Sequence, residues 1–192
     1  MVRPRIPPSS SSRGIEVTLD LRCETAGARR FATSSRAVAR SLLKLLAMPS
    51  AELSIVLTGD AAIRELNRNY RGKDTSTDVL SFPQLDDALE SPGPRGLDQT
   101  SSSGPPTALG DIVISVETAM QQAREMGIAP ALRMRGLLIH GLLHLLGYDH
   151  ERSVAEARRM FARERELAAM LESPMTAPRP GYTNVHHARC RA

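Results

Sequence analysis

The sequence predicts an α+β domain, a small mixed four-stranded sheet packed with about five helices. Three observations lead there. Segments of period-two and period-3.6 hydrophobicity alternate through the first half of the chain. Three helical segments then follow one another with no strand between them. A stretch crowded with Ser, Pro, Gly and Asp, residues 84–108, separates the third strand from the fourth. Helices laid on one small sheet satisfy all three.

In chain order, Ile15, Val17, Leu19 and Leu21 alternate with Glu16, Thr18, Asp20 and Arg22, the pattern of a half-buried strand. Residues 35–48 turn helical, with Val38, Leu42, Leu45 and Leu46 on one face and Pro49 as the stop. Residues 52–57 read as the second strand. Asp60 is the expected N-cap of a helix to about Tyr70, with Ile63 and Leu66 inward. Residues 78–82 form the third strand, ending at Pro83, and 111–116 the fourth. Helices follow over 117–126, closed by Gly127, and 131–146, closed by Gly147. Ser153 and Glu156 match a capping box that opens a last helix to about Leu171.

A chain of 192 residues, 41% hydrophobic, suffices for one domain with its own core. The expected organisation is a disordered extension over 1–14, a single domain over 15–172 with a flexible loop at 84–108, and a disordered tail over 173–192. Residues 1–15 have three arginines and no acid, as a transit peptide would, but Pro4, Pro7 and Pro8 oppose the helix such a peptide forms. No apolar run approaches the roughly 20 residues needed to span a bilayer, so no membrane association is expected. Cys23 and Cys190 lie far apart with no CxxC spacing, which implies two reduced thiols in a cytoplasmic compartment. The net charge of +4 is carried almost wholly by arginine, since Lys44 and Lys73 are the only lysines. That balance suits a polyanionic partner.

The segment His140-Gly-Leu-Leu-His144-Leu-Leu-Gly147-Tyr-Asp-His150 carries the chemistry. Four residues advance a helix by about one turn, so His140 and His144 share a face and can meet one ion. His150 on a continuing helix would stand about 240° round and 9 Å further on, out of reach. The helix must therefore end between them, and Gly147 supplies the stop. Three imidazoles suit one zinc ion per chain and leave a fourth position open, the mark of a catalytic site on a zincin-like metal helix. Zinc there would bring the pKa of a bound water to about 7. Iron, nickel and copper also accept these residue types.

The spacing is that of metzincin proteases, HExxHxxGxxH, but Gly141 stands where those enzymes carry their general-base glutamate. Peptide hydrolysis would lack its usual base. A phosphodiester asks for cations around a developing dianion, which arginines supply. Taken with Asn67-Arg-Asn-Tyr-Arg-Gly-Lys-Asp74, Thr77-Asp-Val-Leu-Ser-Phe-Pro83 and Leu109-Gly-Asp-Ile-Val-Ile114, the histidine segment resembles the YbeY family of bacterial rRNA maturation factors over roughly residues 15–172. The glycine after the first histidine is that family's own pattern. The resemblance implies a zinc-dependent, single-strand-specific endoribonuclease in 16S rRNA 3′-end maturation and ribosome quality control. It also implies ribosomal RNA as partner, with ribosomal proteins or an assembly GTPase beside it. A ribosome assembly factor with a structural zinc, and a protease-like metallohydrolase on another substrate, are the alternatives.

Arg71 matches the family's functionally important arginine and is expected, with His140, in the catalytic role, its guanidinium holding a phosphate. A salt bridge to Asp74 or Asp78 is the structural alternative. Asp149 flanks the third ligand and is either an orienting carboxylate or a turn residue. Arg29, Arg30, Arg36 and Arg40 carry no interleaved acid and are expected RNA contacts. Arg158, Arg159, Arg163 and Arg165 alternate with Glu156, Glu164 and Glu166, the pattern of a solvated, self-paired face. His186 and His187, in the tail, are read as incidental. No residue stands out as general base, which leaves a zinc-activated hydroxide and the RNA 2′-hydroxyl both open as nucleophile.

Overall fold

The computed structural model describes residues 17–48, 50–84 and 107–172. The N-terminal extension, Pro49, most of the 84–108 loop, Cys190, His186, His187 and the tail lie outside those residues. The elements run β1 (Thr18–Cys23), α1 (Arg29–Leu45), β2 (Ala51–Thr58), α2 (Asp60–Arg71), β3 (Val79–Pro83), β4 (Thr107–Ser115), α3 (Val116–Glu125), α4 (Pro130–Leu145) and α5 (Val154–Glu172). The sheet has the order β1-β2-β4-β3, with β1, β2 and β4 parallel and β3 antiparallel to β4. The mixed four-stranded sheet and five helices are those the hydrophobic periods predict.

Alternation along β4 sorts the helices between the two faces. Ile112 and Ile114 join the main core with Leu42 and Leu43 of α1, Leu138 and Leu142 of α4, and Met160 and Leu167 of α5. Val113 points the other way, to a small cluster with Leu80 and Ile63 of α2. α4 is apolar nearly all round from Gly136 on and half of its 16 residues are buried, as a central helix must be. Its two histidines emerge on the side next to β3, the edge strand.

Of the boundaries that differ from the sequence reading, three bear on how the elements pack. α1 opens at Arg29, six residues before Ser35, after a short 3-10 turn over Ala26–Ala28. Its N-cap, Ala28, offers no side-chain hydrogen bond, so no capping signal was present to read; burial of Phe31 supports the extra turn instead. Asp60 is not the N-cap of α2. Gly59 holds that place, and the Asp60 carboxylate accepts from Ser115 Oγ at 2.5 Å and Thr118 Oγ1 at 2.6 Å, tying α2 to the start of α3. β4 begins at Thr107, so Thr107 and Ala108 belong to the sheet and not to the loop.

The early start of β4 rests on a bulge. Glu52 pairs with Ala108 and Leu53 with Gly110, which leaves Leu109 as the extra residue. Gly110 has φ 126°, and a Cβ there would stand 2.0 Å from the Phe82 carbonyl oxygen. Gly110→Ala is therefore expected to destabilise the protein by roughly 3 kcal/mol or more, through backbone strain and collision with β3. A denaturation midpoint equal to that of the parent protein would refute this account of the bulge.

Candidate metal centre

α4 ends where the histidine spacing requires. The Tyr148 N–H donates to Leu143 O and the Gly147 N–H to His144 O, both at 3.0 Å, and Gly147 has φ 87°. This Schellman-type closure uses the left-handed conformation that glycine adopts at no steric cost. The chain reverses and brings His150 to the other two, its ring centroid 5.2 Å from each. One ligand atom from each histidine lies within 4.8 Å of the others, a group that can hold a metal ion.

The donor set fits a metal. His140 Nε2 and His144 Nε2 face each other at 3.1 Å. Two nitrogens on one tetrahedral zinc stand roughly 3.3 Å apart, given Zn–N bonds of about 2.0–2.1 Å. The pair is thus already spaced for sharing one ion. The His144 imidazole is pushed down to about 4, first by burial and then by the nearness of His140 and His150, with the Asp149 charge opposing. A ring that resists protonation stays available as a ligand in mildly acid solution.

That shift predicts a pH dependence for the metal-free protein. Above about pH 6.5 His144 is neutral folded or unfolded, and contributes nothing. Between pH 6.5 and 4 the unfolded chain takes up a proton that the folded one refuses, so stability falls as pH falls. Denaturant unfolding of chelator-treated protein should show a lower midpoint at pH 5 than at pH 7, with part of the difference lost in His144→Asn. Equal slopes in the two proteins would contradict the assignment.

The histidines open onto a cleft of about 650 Å³, lined also by Arg71, Arg152, Glu151, Asp149 and β3 from Val79 to Ser81. Arg71 reaches it from the last turn of α2, where Gly72, with φ 68°, closes the helix. Its guanidinium pairs with Glu151 at 3.1 Å. The acids suggested for it by sequence are engaged elsewhere, Asp74 by Arg64 and Asp78 by Arg133. Burial works to raise the Asp78 carboxyl, but hydrogen bonds from Gln122 and the Val79 N–H, with the charge of Arg133, outweigh it and hold the group below its usual range. Asp149 accepts from the Glu151 N–H at 2.8 Å and pairs with Arg152 at 3.1 Å, the turn arrangement.

Two residues of α5 support the histidines, and the sequence did not single out either. Glu164 Oε1 lies 2.7 Å from His140 Nδ1, and the Phe161 ring stacks on His150 at 5.8 Å and 22°. They are three apart and so share a helix face. Glu164 therefore leaves the self-paired group in which alternation placed it; Arg163 pairs with Glu166 alone. Nothing in local spacing could have linked α5 to α4.

The arginines of α1 are not brought to the cleft. Arg36 reaches Leu21 O on β1 at 3.5 Å, and Arg30 lies over Phe31 at 4.8 Å and touches Met120 Sδ. Arg29 and Arg40 are exposed. α1 packs beside β1, the edge of the sheet opposite β3.

The family model described as "Endoribonuclease YbeY" matches residues 22–172. The chain is 47% identical over 148 residues to the "Endoribonuclease YbeY" of Geobacter sulfurreducens, covering 77% of this chain and 88% of that one. It is 46% identical over 123 residues to the protein of the same name from Leptospira interrogans, covering 63% and 87%. Among solved structures, that of TM1509 from Thermotoga maritima aligns with a TM-score of 0.53 over 79% of this chain and 87% of that one; at 23% identity it speaks for the fold alone.

Proposed function

The chain belongs to the YbeY endoribonuclease family, and on that premise we propose that it is a zinc-dependent, single-strand-specific endoribonuclease acting in 16S rRNA 3′-end maturation and ribosome quality control. The observation that carries the reading is the convergence of His140, His144 and His150 on one point in a cleft that Arg71 also enters. The working unit is residues 15–172. Zinc held by the three imidazoles would supply Lewis acidity toward the phosphodiester and its nucleophile. Arg71 binds a non-bridging phosphate oxygen and stabilises the charge that develops there, exchanging Glu151 for the substrate. Arg152, on the same rim, adds positive charge for the strand. Arg29 and Arg40 serve as outlying phosphate contacts.

Ribosomal RNA is the partner in this proposal, with ribosomal proteins or an assembly GTPase supplying context and the cytoplasm as the compartment. No helix among the described residues is long and apolar enough to cross a membrane. The test is a metal-depletion experiment on a labelled single-stranded rRNA 3′-end fragment and its duplex. Cleavage of the single strand should disappear with the chelator, return with about one equivalent of zinc, and be absent on the duplex throughout. Stoichiometric zinc with no cleavage above background would point to an assembly factor whose metal is structural.

A further inference from the structure

We propose that Glu164 is the positioning residue of the metal centre: by accepting the Nδ1–H of His140 it selects the tautomer that turns Nε2 toward the ion, and it thereby sets the affinity for zinc. An ionised carboxylate only accepts hydrogen bonds, so the nitrogen 2.7 Å away must be the donor. A neutral imidazole has one N–H, and placing it on Nδ1 leaves a lone pair on Nε2. That lone pair faces His144 Nε2 across 3.1 Å, where the ion would sit.

The surroundings exclude a more ordinary role for Glu164. Its side chain is about three-quarters buried, yet among the described residues its one polar partner is His140. It lies in a second cavity, of about 270 Å³, behind that ring and between β3 and α5. Asp78, the other acid lining that cavity, is occupied by Arg133 and Gln122. Asp149, the acid that flanks the ligands in sequence, is occupied by its own turn. A largely buried carboxylate directed at a single imidazole has no structural partner among the described residues to explain it.

The inference rests on the metal-centre reading, and the experiment separates the two. Zinc affinity is measured on metal-free protein by competition with a chelating indicator, for wild type, Glu164→Gln and Glu164→Ala. Loss of such a partner typically weakens metal binding by about 10- to 100-fold, and Glu164→Ala should fall in that range. Glu164→Gln should lose less, because its amide oxygen still accepts the Nδ1–H without the charge. Unfolding midpoints of the metal-free variants should stay close to wild type, which a purely structural role would not allow. Nitrogen-15 shifts of the His140 ring in the wild type give a readout that needs no variant. A proton on Nε2 in metal-free wild type, or wild-type zinc affinity in Glu164→Ala, would overturn the proposal. A wild-type protein that binds no zinc would instead remove the metal-centre reading itself.

Discussion

Arg71→Ala is expected to lower cleavage of single-stranded RNA by about 100- to 1,000-fold, the usual cost of removing one preorganised donor to a developing charge. The same variant should keep its zinc and its fold. Among the described residues Arg71 hydrogen-bonds to no histidine, and its one ion pair, to Glu151, is solvent-exposed on both sides; pairs of that kind contribute roughly 1 kcal/mol or less. Arg71→Lys should fall between the two proteins, since lysine restores a charge but not the two-pronged geometry that fits a phosphate. The check is kcat against KM on one RNA, beside zinc content and melting temperature. Unchanged cleavage by metal-loaded Arg71→Ala would sink the role assigned to this residue.

The second large effect is expected from Gly141→Glu, which completes the protease-like HExxHxxGxxH pattern. A Cβ at 141 would stand 2.9 Å from Ile112 Cγ2 and 3.1 Å from Ser81 Oγ. The helix meets the sheet here so closely that Ser81 Oγ donates to Gly141 O at 3.2 Å. A longer side chain must lift α4 from β3 and β4, and with it both His140 and His144. A loss of about 3 kcal/mol in stability is expected from overpacking and from a carboxylate placed against an apolar surface. Weaker zinc binding should accompany it, with no gain of peptidase activity. Gly141→Ala isolates the first contact, and its better helix propensity, worth about 1 kcal/mol, offsets part of the strain. A Gly141→Glu protein as stable as its parent would show that the spacing between α4 and the sheet is not set by this glycine.

Much of this molecule is legible in one dimension because its local rules agree with its fold. The period-two runs became the strands, and the apolar face of 60–70 became the inner face of α2. The closures after Gly127 and Gly147 were readable because glycine at the end of a helical run has one economical use. The meeting of the three histidines was readable for the same reason, since two of them lie one turn apart and the third is reached through a glycine stop. At two of the places where the reading missed, a distant contact had replaced a local one. Asp60 looked like a cap and instead accepts from Ser115 and Thr118, over 50 residues away. Arg71 had two acids close by in sequence and pairs with Glu151, 80 residues on.

The sequence by itself determined the fold class, the grouping of the three histidines and the absence of a glutamate between them, because each follows from helix geometry within a dozen residues or from alternation along a strand. It could account for Gly141 only as a missing base. Tertiary structure supplied the reason that residue is small: Ile112 and Ser81 occupy the space a side chain would need. Tertiary structure also decided which carboxylate reaches His140. Asp149 is an acid beside a histidine in the chain and Glu164 is distant from all three, but the packing of α5 against α4 turns Glu164 toward the ring while the turn after Gly147 holds Asp149. Hydrogen bonds across 24 residues depend on how helices pack, and helix packing is set by the summed burial of the core rather than by any local pattern.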